Sequence, residues 1–378
     1  MAKIIIAPNK YVQASGELAN LSKYVSELGK NALCLLTEGG FKRVKDTIDK
    51  SFSEKECSII YEKFNGECCT TEINRIMEIC NNNNIDVIIG VGGGKILDTT
   101  KSVGYCKNMP VVIVPTIAST DAPCSALSVI YTEDGVFEKY LFLKQNPNLV
   151  LVDTDIIAQA PTRLLASGMG DALATYFEAR ACNASGSQTC AFGTPTLAAM
   201  ALAELCYDTL ITEGELAIKA VENNVCTKAV EKVIEANTLL SGIGFESGGL
   251  AGAHAIHNGF TVLPQCHHMY HGEKVAFGTL VQLVLEDAPE EEIAEVIDFC
   301  CRVGLPVTLK QLGITEIKEE EIMEVAKAAT AEGESIHNMP FHVSAKDVYA
   351  AILTANSIGK DYVESVSYTH LRAHETRS

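Results

Sequence analysis

Near Ala160–Pro161 the texture of this chain changes, and that change limits what it can fold into. Before it, short apolar and β-branched runs alternate with amphipathic stretches. The runs are Lys3–Ala7, Ala32–Thr37, Ser58–Phe64, Asp86–Gly90, Val111–Pro115, Leu127–Tyr131 and Leu149–Asp153. Several are apolar throughout, as strands covered on both faces of a parallel sheet are. Between them, Glu17–Glu27 and Thr71–Cys80 have helical spacing. From Thr162 to about Lys360, Ala, Leu and Glu recur at helical spacing, as in Pro195–Tyr207, Lys228–Leu240, Glu290–Cys301 and Ser344–Ile358. The expected architecture is an α/β domain over 1–160 with a mostly parallel, Rossmann-like sheet, then an all-helical domain over 161–362. A chain of 378 residues exceeds what one hydrophobic core usually organises, which agrees with two domains. The cleft between them is the natural place for a ligand.

The pattern breaks again at the end. Residues 363–378 lie within SVSYTHLRAHETRS, which follows a helix expected to stop near Tyr362. This segment lacks apolar periodicity and reads as a non-native remnant or a disordered tail, so His370 and His374 are set aside.

Charge and cysteine usage exclude several classes. A formal charge of −18 disfavours nucleic acid and anionic membrane surfaces, which select basic patches. No apolar stretch is long enough to span a bilayer. The start, MAKIIIAPNKYVQ, reads as a buried strand and its exit loop, not a signal peptide. Fourteen cysteines without any CxxC suit a reduced, cytoplasmic protein that uses cysteine as a small hydrophobe, and argue against a zinc knuckle.

Three segments carry chemistry. Gly242–Lys274 holds five of the nine histidines (His254, His257, His267, His268 and His271) among glycines and apolar residues. One histidine in such a setting is more often a core residue. Five together point to a metal or acid–base site. Second, Asp86-Val-Ile-Ile-Gly-Val-Gly-Gly-Gly-Lys95 reads as strand, glycine turn and helix start. Glycines let a phosphate approach backbone N–H groups at a helix N-terminus, and Lys95 adds a charge. The run is neither the GxGxxG fingerprint nor a Walker loop, and a ligand-free tight turn has the same spelling. Third, Val114–Pro123 leaves a strand end with hydroxyls at Thr116, Ser119 and Thr120 and a carboxylate at Asp121. Ligands bind at that edge of α/β sheets, though hydroxyl-rich turns are also common there.

With these residues in view, the chain resembles the iron-containing (group III, metal-dependent) alcohol dehydrogenase superfamily from Pro8 to about Lys360. The stretches that carry the likeness are GVGGGK, VPTIASTDAPCSALSVIYTEDGVFE, NLVLVDT, RLLASGMGDALAT, ANTLLSGIGFESGGLAGAHAIHNGF and HGEKVAFGTLVQL. The resemblance implies a dehydroquinate-synthase-like architecture and metal ligands at Asp171, His254 and His271. Many iron-using members carry a histidine one turn after the aspartate; here that position is Thr175, which favours a three-ligand Zn²⁺ site. It also implies NAD contacts from Gly92, Gly93, Gly94, Lys95 and Asp98, with Thr116, Ser119, Ser125, Leu127 and Tyr131 holding adenosine and nicotinamide. Asp121 is implied for a substrate hydroxyl. His257 would line the nicotinamide site, bond a hydroxyl or support the metal ligands. His267 and His268 take no role.

One position departs from the family pattern. NAD-using members end the second strand on an aspartate that binds ribose; here Thr37 stands there with Glu38 after it. If Glu38 takes over, NAD is preferred; if it points away, Thr37 accommodates NADP. The implied activity is NAD- and zinc-dependent, reversible oxidation of glycerol to dihydroxyacetone, or of a related vicinal diol, by a homo-oligomer. Its substrate is a small polyol, with no nucleic acid or membrane partner. A glycerol-1-phosphate dehydrogenase or a dehydroquinate-synthase-like lyase would share the fold, but should place several basic residues near the cleft, where only Lys95 and Lys274 stand. A non-catalytic sensor would not need the ligands and the phosphate loop together.

Overall fold

The computed structural model describes residues 1–53 and 57–375, with side chains up to Ser365. Its strands are β1 (Tyr11–Ala14), β2 (Asn31–Leu36), β3 (Ser58–Lys63), β4 (Val87–Gly92), β5 (Val111–Pro115), β6 (Leu127–Tyr131), β7 (Phe137–Phe142) and β8 (Leu149–Asp153). Six form one parallel sheet in the order β1-β8-β5-β4-β2-β3. The interleaved helices are α1 (Leu21–Val25), α2 (Glu38–Phe52), α3 (Thr70–Asn82), α4 (Gly94–Lys107) and α5 (Thr154–Ala158). Every residue of β4, β5 and β8 is buried, which is why those runs are apolar throughout. α2 turns Val44, Ile48 and Phe52 onto the sheet at a four-residue spacing, and Thr37 caps it by accepting the Gly40 N–H at 3.0 Å.

Beyond Pro161 the described residues are helical: α6 (Thr162–Ser185), α7 (Leu197–Val221), α8 (Lys228–Glu235), α9 (Ser241–Gly248), α10 (Gly252–Phe260), α11 (His271–Leu285), α12 (Glu290–Val303), α13 (Glu319–Ala329) and α14 (Ala345–Glu375). A π-helical turn, Ala236–Leu240, joins α8 to α9 without a break. This run forms the seam between the two halves. Tyr11 Oη lies 2.9 Å from Thr238 Oγ1, Gln13 donates to Glu231 O, and the Ile6 N–H donates to Ser247 Oγ.

The chain order places the ligand edge. From β2 the chain goes to β3 on one side and to β4 on the other, so the C-terminal ends of β2 and β4 flank a crevice. Thr37 follows β2, the glycine turn follows β4, and Thr116 follows β5, all on that edge.

The structure corrects four expectations. Lys3–Ala7 is not a sheet strand: Lys3 makes an isolated bridge to Thr194 and Ile5 is exposed. The edge position beside β8 is held instead by β1, whose four residues are too few to show a clear alternation. Leu127–Tyr131 leaves the main sheet and pairs with β7 in a separate hairpin. The last helix does not stop near Tyr362 but continues to Glu375, through a segment with no Gly or Pro to end it. Residues 376–378 and the side chains of His370 and His374 lie outside what is described. All fourteen cysteines are free and ten are buried, as small hydrophobes are. No helix among the described residues is long and apolar enough to cross a membrane.

Candidate metal and dinucleotide site

Asp171 sits in the middle of α6, an Ala- and Gly-rich helix that allows close approach. A Cβ on Gly170 would lie 2.3 Å from Gly272 O, and one on Gly272 would lie 1.7 Å from Ser167 O. These contacts leave room for no side chain, so α6 and the start of α11 meet backbone to backbone. Asp171 and His271 are therefore held face to face. His254 comes from the first turn of α10. The ligand atoms of the three residues all lie within 4.8 Å of one another. His271 Nε2 is 3.0 Å and His254 Nε2 3.3 Å from Asp171 Oδ1. Two ligands of one tetrahedral zinc would be about 3.4 Å apart.

Asp171 is fully buried, and its Oδ1 receives no well-aligned hydrogen bond although two imidazoles point at it. An oxygen in that condition lacks a positive partner at the point where the three donors converge. One carboxylate and two imidazoles with an orphaned oxygen between them fit a divalent cation. Burial alone would raise the Asp171 carboxyl, but His271 and His254 outweigh it and hold the group well below the usual carboxylate range.

Glu178 completes this arrangement. It lies seven residues after Asp171 on the same face of α6 and is fully buried. Its Oε2 is 2.5 Å from His254 Nδ1, and its Oε1 accepts the N–H groups of Ala251 and His254. The carboxylate thus caps α10 and leaves Nε2 of His254 free to face Asp171. Burial would lower the His254 pKa, but Glu178 and Asp171 raise it well above the ordinary value. Replacing Glu178 with Gln is expected to weaken metal binding about 10- to 100-fold. Competition with a chelator measures this, and wild-type affinity in the variant would sink the role.

His271 opens α11 and is oriented from outside the ligand set. Arg163 grips Glu273 at 2.5 and 2.8 Å, and Glu273 accepts the Tyr270 N–H at 2.7 Å. Thr175 is no ligand. Its hydroxyl lies 2.8 Å from Ser241 Oγ, which donates to Asp121 Oδ2 at 2.8 Å. The Asp121 N–H in turn donates to Asp171 Oδ2 at 3.1 Å. Burial and the neighbouring Asp171 push the Asp121 carboxyl well above its ordinary pKa.

The remaining histidines separate. The His257 ring centroid is 4.2 Å from that of His271 and 6.5 Å from that of His254. Asn258 Nδ2 donates to Glu334, so Asn258 Oδ1 faces His257 Nδ1 at 3.0 Å and assigns the proton to Nδ1. Burial and the adjacent His271 and Lys274 hold His257 well below its ordinary pKa, so it is neutral. His267 turns its Nε2 to Thr261 O, and His268 lies against Gly313, away from the ligands.

On the sheet edge, Gly93 caps α4 and a Cβ on Gly94 would meet nothing within 4 Å, which leaves open space at that helix N-terminus. The Gly92 carbonyl accepts the Thr116 N–H, tying this turn to the next loop. Lys95 lies beside the turn, 2.5 Å from Glu67 and over the Tyr131 ring. Ser119 contributes its carbonyl to Ser167 Oγ. Asp98, Ser125 and Leu127 are drawn together around the buried ammonium of Lys101, which contacts all three. Thr37 caps α2, and Glu38, largely exposed, pairs with Lys63 at 3.1 Å. Sequence reasoning missed Glu178, Lys101, Ser241 and Glu246. A carboxylate two turns from Asp171 in an otherwise apolar helix was the available signal for Glu178.

Comparison with known proteins points the same way. Residues 8–154 match the model of the iron-containing alcohol dehydrogenase family. The chain is 52% identical to a glycerol dehydrogenase of Citrobacter freundii, over 96% of this chain and all of the relative. It is 45% identical to a glycolaldehyde reductase of Halobacterium salinarum, over 95% of this chain and 99% of the relative. The crystal structure of glycerol dehydrogenase from Schizosaccharomyces pombe superposes with a TM-score of 0.94 at 41% identity, covering 97% of this chain and 93% of that one.

Proposed function

The chain belongs to the iron-containing alcohol dehydrogenase family and groups with its glycerol dehydrogenases, and from that premise we propose that it oxidises glycerol to dihydroxyacetone with NAD at a zinc held by Asp171, His254 and His271. The observation that carries the reading is the orphaned, buried Asp171 Oδ1 between two imidazole nitrogens. Zinc there would supply Lewis acidity toward an alcohol oxygen, and NAD would accept the hydride.

The chain's own residues do the rest. The turn Gly92–Lys95 offers backbone N–H groups and a cation to the pyrophosphate, with Thr116 and Ser119 on the adjoining loop. Asp121, anchored through Ser241 and Asp171, orients a hydroxyl of the polyol beside the metal ligands. His257, neutral with its proton on Nδ1, keeps a lone pair on Nε2 and is the acceptor for the alcohol proton. Glu38 supports NAD over NADP, because an exposed carboxylate at the end of β2 repels a 2′-phosphate.

With zinc and glycerol, NADH formation is expected, with NADP at least about tenfold poorer. Absence of turnover with NAD would refute the reading. Glycolaldehyde with NADH is the informative second arm: a much higher kcat/KM than for dihydroxyacetone would reassign the physiological substrate.

A further inference from the structure

The loop after Asp121 is held by buried charges that no role above uses. Lys101, on α4, is 1% exposed. Its Nζ lies 2.9 Å from Asp98 Oδ1, and it donates to Ala122 O at 3.0 Å, to Ser125 Oγ at 3.2 Å and to Leu127 O. Asp98 reaches further along the loop and accepts the Val129 N–H at 3.0 Å. From the other half of the molecule comes Glu246 on α9, 2% exposed. Its Oε1 accepts the Ala126 N–H and its Oε2 accepts Asn146 Nδ2, both at 2.6 Å, while Asn146 Nδ2 also donates to Cys124 O.

Between Ala122 and Val129 the cation therefore takes carbonyls, and the two carboxylates take N–H groups. Burying such charges is costly unless they are hydrogen-bonded, and here most of their partners are peptide groups of a single loop, joined by Ser125 Oγ and Asn146. Burial pushes the Glu246 carboxyl up to about 7, against the opposing bonds of Ala126 and Asn146 and the charge of Lys101. A loop tethered at this many peptide groups has one conformation. The residue just before it, Asp121, is tied to the metal ligand Asp171.

We propose that Lys101 and Glu246 are positioning residues that fix the Ala122–Val129 loop from the two domains, so that Asp121 is aligned over the metal ligands only while the domains are docked. The proposal rests on the dehydrogenase reading. In that chemistry a displacement of about 1 Å at a reacting group costs on the order of 100-fold in rate. Glu246 is the sharper of the two to test, because Gln is isosteric and reverses only one of its two acceptors. Lys101→Met, which strands Asp98, serves as the second variant.

The measurement is kcat and KM for glycerol per folded, zinc-loaded molecule, with zinc stoichiometry and thermal midpoint determined in parallel. For Glu246→Gln the expected result is a fall in kcat of about 10- to 100-fold at unchanged zinc stoichiometry. Glu246→Asp, which keeps the anion, recovers part of that loss. A merely structural role would lower the midpoint and leave kcat per folded molecule at the wild-type value, and that result would overturn the proposal. So would Glu246→Gln and Lys101→Met both retaining wild-type kcat. Failure of the wild-type protein itself to turn over glycerol would instead count against the function.

Discussion

His271→Ala is expected to remove the stoichiometric divalent metal and to lower kcat/KM for glycerol by at least about 1,000-fold. The reason is geometric. Among the described residues the candidate ligands are Asp171 and the two histidines that converge on its Oδ1, and Thr175, one turn along α6, is engaged with Ser241 and cannot replace a lost ligand. Metal analysis of the purified variant checks the first part independently of activity. A variant that holds one metal ion per chain and turns over at the wild-type rate would dismantle the three-ligand site. Thermal stability should respond less, because His271 is partly exposed at the start of its helix and removing it opens no buried cavity.

Gly272→Ala is expected to act on stability and on the metal together. The added Cβ would stand 1.7 Å from Ser167 O, 2.7 Å from Ser167 C and 2.8 Å from Asp171 N, all backbone atoms of α6. No side-chain rotation relieves contacts with backbone, so α6 and α11 must separate. Overpacking of this kind costs about 3 kcal/mol, which for a chain of 378 residues is roughly 4 °C in thermal midpoint. The same displacement draws His271 away from Asp171, so metal affinity should fall with it. A midpoint and a metal affinity equal to those of the wild type would show that the helices do not meet as described. The neighbouring His271→Ala change loses metal by removing a donor, whereas Gly272→Ala keeps every donor and moves one. Comparing the two separates ligand identity from ligand placement.

Legibility in the sequence followed the range of the interaction. β4, β5 and β8 could be read because strands covered on both faces must be apolar at every position, and that is a local property. The glycine turn was legible because α4 begins directly after it. β1 was not, since four residues alternate too briefly, and its place is set by pairing with β8 far along the chain. The hairpin partner β7 was missed because its residues are mostly exposed and carry no burial pattern.

The candidate site divides in the same way. Asp171, His254 and His271 came from motifs that resemble a known family, and the fold brings their ligand atoms together. Asp98, implied as a cofactor contact by the resemblance, also lies against Lys101 and accepts the Val129 N–H, partners that no local pattern names. The sequence alone determined the α/β-then-helical order, the glycine turn before α4 and which histidines deserved suspicion, because periodicity and glycine spacing are written within a few residues of each other. Only the tertiary structure decided that Glu178 orients His254, that Glu246 holds a loop about 120 residues away, and that His267 and His268 stand aside. The partner of a buried polar group is chosen by packing across the fold, and no local pattern records it.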